Sequence, residues 1–144
     1  MKATGEKDGK GVLKYSDLSV FYGHFRNDKV EGTGRLILSQ GDVYEGEWKP
    51  VPDEEIINLI AIFCPLKATF HGKGTKIEFN KGHYTGDWKN GQKHGYGNEF
   101  FSDGSEYNGF YESDLFNGGG IYKKIDGEIY NGNFLNGERS GDGK

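Results

Sequence analysis

Residues 44–48 read YEGEW: two large rings alternate with charged side chains, and a glycine stands midway between the rings. Alternation with a period of two places Tyr44, Gly46 and Trp48 on one face of a β-strand and Glu45 and Glu47 on the other. The same aromatic-x-Gly-x-aromatic pattern recurs at Phe21–Phe25, Tyr84–Trp88, Tyr107–Tyr111 and Tyr130–Phe134. After each comes a short polar loop, a Gly-x-Gly and a mixed apolar run. A glycine turn follows in three copies, SQG at 39–41, SDG at 102–104 and IDG at 125–127. Asn90-Gly91 and Asn136-Gly137 are hairpin-turn dipeptides, because both residue types accept positive φ. The pattern predicts a row of two-stranded antiparallel hairpins and an all-β chain.

The first rings of the copies, Phe21, Tyr44, Tyr84, Tyr107 and Tyr130, stand 23, 40, 23 and 23 residues apart. A fixed period of this length is the mark of a repeat array. It divides one domain, 1–144, into a partial copy 1–20, copies 21–43, 44–83, 84–106 and 107–129, and a partial copy 130–144. Copy 44–83 carries the extra residues, an insertion at about 50–70. A glycine between two rings leaves a gap on the strand, and the expectation is that a ring from the neighbouring hairpin lies flat in it, so that rings and glycines form one packing device.

Composition sharpens this picture. Hydrophobic residues make up only 33% of the chain while aromatics reach 15%, with 25 glycines in 144 residues. Disordered chains are poor in aromatics, so an ordered fold with little conventional core fits better. The formal charge of −4 gives no broad attraction to nucleic acid and argues mildly against anionic membranes. The one cysteine, Cys64, excludes an internal disulfide framework and a multi-cysteine metal site. The opening MKATGEKDGKG has no apolar centre of a signal peptide, and Ile56 to Phe63, the longest apolar stretch, falls far short of the roughly 20 residues that span a bilayer.

Tyr-x-Gly-x-Trp, then Asn-Gly, His-Gly-x-Gly and an x-Asp-Gly turn at a 23-residue period resemble the MORN (membrane occupation and recognition nexus) repeat. The match is strongest over 84–104. It is weaker over 21–41, where Phe25 replaces Trp and Asp28 replaces the loop glycine. The resemblance implies an elongated, single-layer, twisted antiparallel sheet of consecutive hairpins with a shallow groove on one face. It also implies a non-catalytic role in protein or membrane interaction.

Two departures from the pattern carry further expectations. Residues 50–70, PVPDEEIINLIAIFCPLKATF, replace a four-residue loop. Pro52 followed by Asp53, Glu54 and Glu55 suits a helix start, whereas IINLIAIF would equally serve as a buried strand. Its apolar residues Ile56, Ile57, Leu59, Ile60 and Phe63 are expected to pack on the sheet or on a partner. At the other departure the sequence stops at Gly141-Asp142-Gly143-Lys144, before the expected second strand of the last copy, so that strand is expected either to be completed by another chain at an open edge or to continue in a longer sequence.

The candidate chemistry is sparse. Gly-x-Gly starts at Gly9, Gly32, Gly72, Gly95, Gly118 and Gly141, and none continues into the Gly-Lys-Ser/Thr of a nucleotide loop. His71 and His94 share one repeat position, about 9–10 Å apart across two strand spacings, too far to share a zinc. Glu45, Glu47, Asp87, Asp103 and Asp126 fall at exposed strand or turn positions, and no nucleophile–base set is implied by spacing. No catalytic residue, cofactor or metal is therefore assigned. The candidate binding surface is the aromatic ladder Tyr44, Trp48, Tyr84, Trp88, Tyr107, Tyr111, Tyr130 and Phe134, which a single-layer sheet would leave half exposed for a partner segment. The expected role is an intracellular scaffold or adaptor, cytoplasmic and in the cytoskeleton or cilium, since MORN repeats occur in radial-spoke and other cytoskeletal proteins. The alternatives are a module touching anionic phospholipid through Lys89 and Lys93 or Lys123 and Lys124, and the non-catalytic repeats of a larger enzyme.

Overall fold

The structure, a computed structural model, describes residues 9–27, 29–51 and 68–141. Eleven strands form one antiparallel sheet in which every strand pairs with its neighbours in sequence, and the described residues contain no helix. They are β1 (Gly9–Lys14), β2 (Val20–Arg26), β3 (Lys29–Ile37), β4 (Val43–Pro50), β5 (Ala68–Glu78) and β6 (Gly82–Lys89). The remainder are β7 (Gln92–Phe101), β8 (Glu106–Glu112), β9 (Leu115–Lys123), β10 (Ile129–Leu135) and β11 (Glu138–Ser140). The short β11 and β1 lie at the two edges, and the last copy does have a second strand, contrary to expectation: it starts directly after the Asn136-Gly137 turn, three residues before Gly141. The insertion residues Ile56, Ile57, Leu59, Ile60 and Phe63, and the choice between helix and strand there, lie outside the described residues.

One register runs through the sheet. From Gly11 on β1 to Gly132 on β10, every strand contributes one glycine, each opposite the next. Beside this row the four hairpins β2–β3, β4–β5, β6–β7 and β8–β9 break step. Gly86 pairs with Gly97 and Trp88 with Lys93, so the single residue Asp87 faces three, His94, Gly95 and Tyr96. The extra residues form a bulge that bends the returning strand, and Gly95 adopts φ +71°, where a Cβ would be strained. Gly72 occupies the same place at φ +78°. The Gly-x-Gly of the sequence therefore divides its work: the first glycine turns the bulge and the second joins the glycine row.

The second role explains the rings, with one correction to expectation. From Gly23 to Gly120 the ring lying on each glycine comes from its own hairpin; only at Gly11, under Phe25, does the neighbouring hairpin supply it, and at Gly34 the indole of Trp48 adds to Phe21. Tyr84 lies across Gly86 of its own strand and Gly97 of the partner strand, and Tyr107 does the same over Gly109 and Gly120. The bulge frees a carbonyl that the ring then satisfies. Tyr44 donates its hydroxyl to the Glu47 carbonyl (2.9 Å), Tyr84 to that of Asp87 (2.7 Å), Tyr107 to Phe110 (2.8 Å) and Tyr130 to Asn133 (3.0 Å). A buried phenol thus meets the one carbonyl that the ladder leaves over.

Successive hairpins are joined by the second ring. The indole of Trp48 donates to the Gly34 carbonyl (3.1 Å) and that of Trp88 to Gly74 (3.0 Å). Trp88 also meets Tyr44 edge-on across the hairpin boundary at 5.5 Å. Trp88→Phe keeps a ring but loses the donor and part of the volume. It is expected to cost roughly 2 kcal/mol by urea unfolding.

The turns follow their residues. Asn90 and Gly91 take φ +49° and +83°, and Asn136 and Gly137 take +48° and +89°, as expected for type I′ hairpins. Ser113 and Asp114 make the same turn at +49° and +70° without glycine. Asp114 offsets that strain by accepting the Lys93 amide through Oδ1 (2.8 Å). Gly91 and Gly137 donate their amides to the carbonyls of Phe70 and Phe116 in the preceding hairpin, each at 2.8 Å.

Candidate interaction surface

All eight ladder residues, Tyr44, Trp48, Tyr84, Trp88, Tyr107, Tyr111, Tyr130 and Phe134, share one face and belong to one core cluster. They are not half exposed: none exceeds 8% exposure, and Tyr107 is at 0%. The reason is that each ring folds down over its glycine and is walled by rings on either side, so one layer buries its own aromatics.

What covers each first ring is a residue that the sequence reading missed. Phe70 stacks on Tyr44 at 3.7 Å, and Phe116 stacks on Tyr107 at 3.9 Å. Over Tyr84 the corresponding place holds the ammonium of Lys93 (5.2 Å), and over Tyr130 the guanidinium of Arg139 (4.5 Å). Residues 70, 93, 116 and 139 are spaced by 23, so the period alone could have found them. Cation–π contact replaces ring stacking in alternate copies.

That substitution puts charge in the middle of an aromatic face. Lys93 pairs with Glu99 at 2.8 Å, both side chains 16% exposed, and Glu99 also accepts the Tyr111 hydroxyl at 2.8 Å. Burial and the adjoining Glu99 carboxylate push the Tyr111 phenol well above its usual range. Lys76 pairs with Glu78 at 3.5 Å. Beside this cluster, Leu36, Tyr44, Phe70, Lys76, Trp88 and Lys93 line a depression of about 500 Å³.

The carboxylates separate by role. Asp103 and Asp126 accept the amides two residues on, at 2.8 and 2.9 Å, and so close their turns. Glu47, exposed as expected, and the partly buried Asp87 also cap the bulges: Glu47 accepts the Lys73 amide, and Asp87 accepts that of Tyr96 (3.2 Å) and the Lys73 ammonium (2.5 Å). Asp87 is held below the usual carboxylate range by these bonds, chiefly that from Lys73, which outweigh its burial. Among the histidines, His71 accepts the Asn90 amide at 3.3 Å and thereby supports a turn. Among the described residues no three His, Cys, Asp or Glu side chains gather as a metal site would require.

A sheet in which four successive hairpins, β2–β3 to β8–β9, repeat one ring, one glycine pair and one bulge defines a β-hairpin repeat protein with an aromatic face. The MORN repeat family model matches residues 5–20, 21–43, 84–106 and 130–144, just over half of the chain, and the chain belongs to that family. The hairpins at 44–83 and 107–129 keep the same register and bulge without matching separately. No curated protein matches the chain significantly. MORN repeats are non-enzymatic and generally mediate protein or membrane interaction.

Proposed function

We propose that the chain is a non-catalytic adaptor whose ring-bearing face takes segments of partner proteins within a larger ciliary or cytoskeletal assembly. The observation that carries this is the 500 Å³ depression, lined by Tyr44, Phe70 and Trp88 and by charges of both signs, Lys76 and Lys93 beside Asp42, Glu78 and Asp114. Because the rings are locked in the core, their edges supply a preformed apolar floor, and the ion pairs Lys76–Glu78 and Lys93–Glu99 beside it favour a partner segment carrying both polar and apolar groups over a uniformly anionic surface. The ciliary part of the proposal rests on where MORN repeats recur.

The lysines speak for protein over lipid. Lys93 is committed to Glu99 at 2.8 Å and Lys124 to Glu128 at 3.2 Å, which leaves Lys89 and Lys123 of the four candidates for an anionic surface. Affinity purification from the source cells, with wild type beside Lys76→Glu, tests the reading. Recurrent ciliary or cytoskeletal partners that the variant loses at least tenfold are expected. Salt-sensitive flotation with anionic liposomes and no recurrent partner would transfer the role to a membrane.

A further inference from the structure

Among the described residues nothing covers the opposite face of the sheet. Its exposed apolar residues concentrate on β7 to β10: Tyr96 at 52%, Phe110 at 49%, Phe100 at 39%, Ile121 at 43% and Ile129 at 53%. Tyr96 and Phe110 meet edge-on at 5.4 Å, and Phe100 stacks on His83 at 4.8 Å, so these rings stand as fixed features. Between them run Thr85, Asn98, Asn108, Ile121 and Asn131, opposite one another in register. Asn98 donates to Asn108 through their side-chain amides. This band carries no charge of its own.

Charge decides what can approach it. The chain carries a formal −4, so two copies repel over most orientations. On this face the charges cancel: Asp87 is bonded to Lys73 at 2.5 Å, and Glu106 stands opposite Lys123 in register. Five strands at about 4.8 Å and seven residues at about 3.3 Å span about 24 by 23 Å. That is comparable to the footprint of an interface removing about 800 Å² from each partner. An antiparallel sheet with an apolar outer band buries it against a second layer, and this chain supplies no second layer among its described residues.

We infer that two copies pack outer face against outer face over β6 to β10, as the two sheets of a sandwich, with Phe110 and Ile121 at the centre. The association is apolar and isologous, so added salt strengthens or preserves it. It uses the face opposite the proposed partner groove, and either reading can fail alone.

Sedimentation velocity of the full chain, from low micromolar to a few hundred micromolar, is the test, with Phe110→Lys and Ile121→Lys beside wild type. A wild-type dimer is expected, and both variants should sediment as monomers with unchanged far-ultraviolet circular dichroism. If one variant loses the sheet signal, the other decides. A wild type that stays monomeric throughout overturns the inference. So does a dimer that both lysine variants leave intact, which would place the contact at the edge strands instead.

Discussion

Gly86→Ala is expected to cost about 3 kcal/mol, a large part of the 5–15 kcal/mol typical of a domain. A Cβ there would lie 2.5 Å from the Gly97 Cα, 2.6 Å from the Tyr96 carbonyl oxygen and 2.7 Å from the Tyr84 hydroxyl. Two of these are backbone atoms of the paired strand and cannot swing aside as a flexible side chain can. The chain must open the β6–β7 pair or lift Tyr84 from its seat, and lifting it also breaks the hydroxyl's bond to the Asp87 carbonyl. Gly119→Ala is the control, since nothing lies within 4 Å of a Cβ at that position. Removing a glycine's freedom from the unfolded chain then leaves stability unchanged or raised by up to about 1 kcal/mol. Urea unfolding of the two variants separates contact from propensity. Equal losses would mean that glycine matters here only for backbone freedom and not for the ring that sits on it.

The contrast shows which parts of the fold were legible in the sequence. The 23-residue spacing and the alternation in Tyr84–Trp88 carry the hairpin order, because period and face are local properties of a strand. Asn90-Gly91 and Asn136-Gly137 carry their turns for the same reason. The origin of the covering ring was not legible. A glycine between two rings says that something large sits above it, but whether the ring is its own or a neighbour's depends on the bulge at His94–Tyr96, which shifts the partner strand under Tyr84. The burial of the ladder was missed for a related reason. Single-layer sheets expose one face when their side chains stand upright, whereas here Tyr44, Tyr84, Tyr107 and Tyr130 lie down along the strand to reach a carbonyl three residues on. Glu47 and Asp87 looked like solvated strand residues because their acceptor role also exists only once the bulge has formed. Lys93 looks in the sequence like a candidate contact to phosphate, although its spacing from Phe70 places it over a ring. In each case local pattern gave the strand, and the misread contact ran through the bulge or across a strand pair.

The same buried phenols make the protein sensitive to alkali. Burial pushes Tyr107 up to about 12 from an ordinary value near 10, and Tyr15, partly buried in the turn after β1 with Asp17 beside it, is likewise pushed up to about 12. Tyr44, Tyr84 and Tyr111 are also raised by burial, with Glu47, Asp87 and Glu99 beside them adding to the effect. Each group therefore holds its proton more tightly folded than unfolded. Its contribution to stability is complete below pH 10 and is lost as the pH rises toward the folded value, because the unfolded chain ionises first. The shifts run in the same direction at all five tyrosines, so stability falls progressively more steeply as the pH rises above 10. Cooperative unfolding between about pH 10 and 12 is expected, with tyrosinate absorbance and loss of the sheet's circular dichroism rising together. Tyr107→Phe should behave in two ways at once. It loses the hydroxyl's bond to the Phe110 carbonyl, costing about 1 kcal/mol at neutral pH, yet it removes one ionising group and makes the fall in stability with pH less steep. Phenols that titrate near pH 10 while the sheet signal persists would mean that the rings over the glycine row reach water without unfolding, and the aromatic face would then be open enough for a partner to enter between the rings themselves.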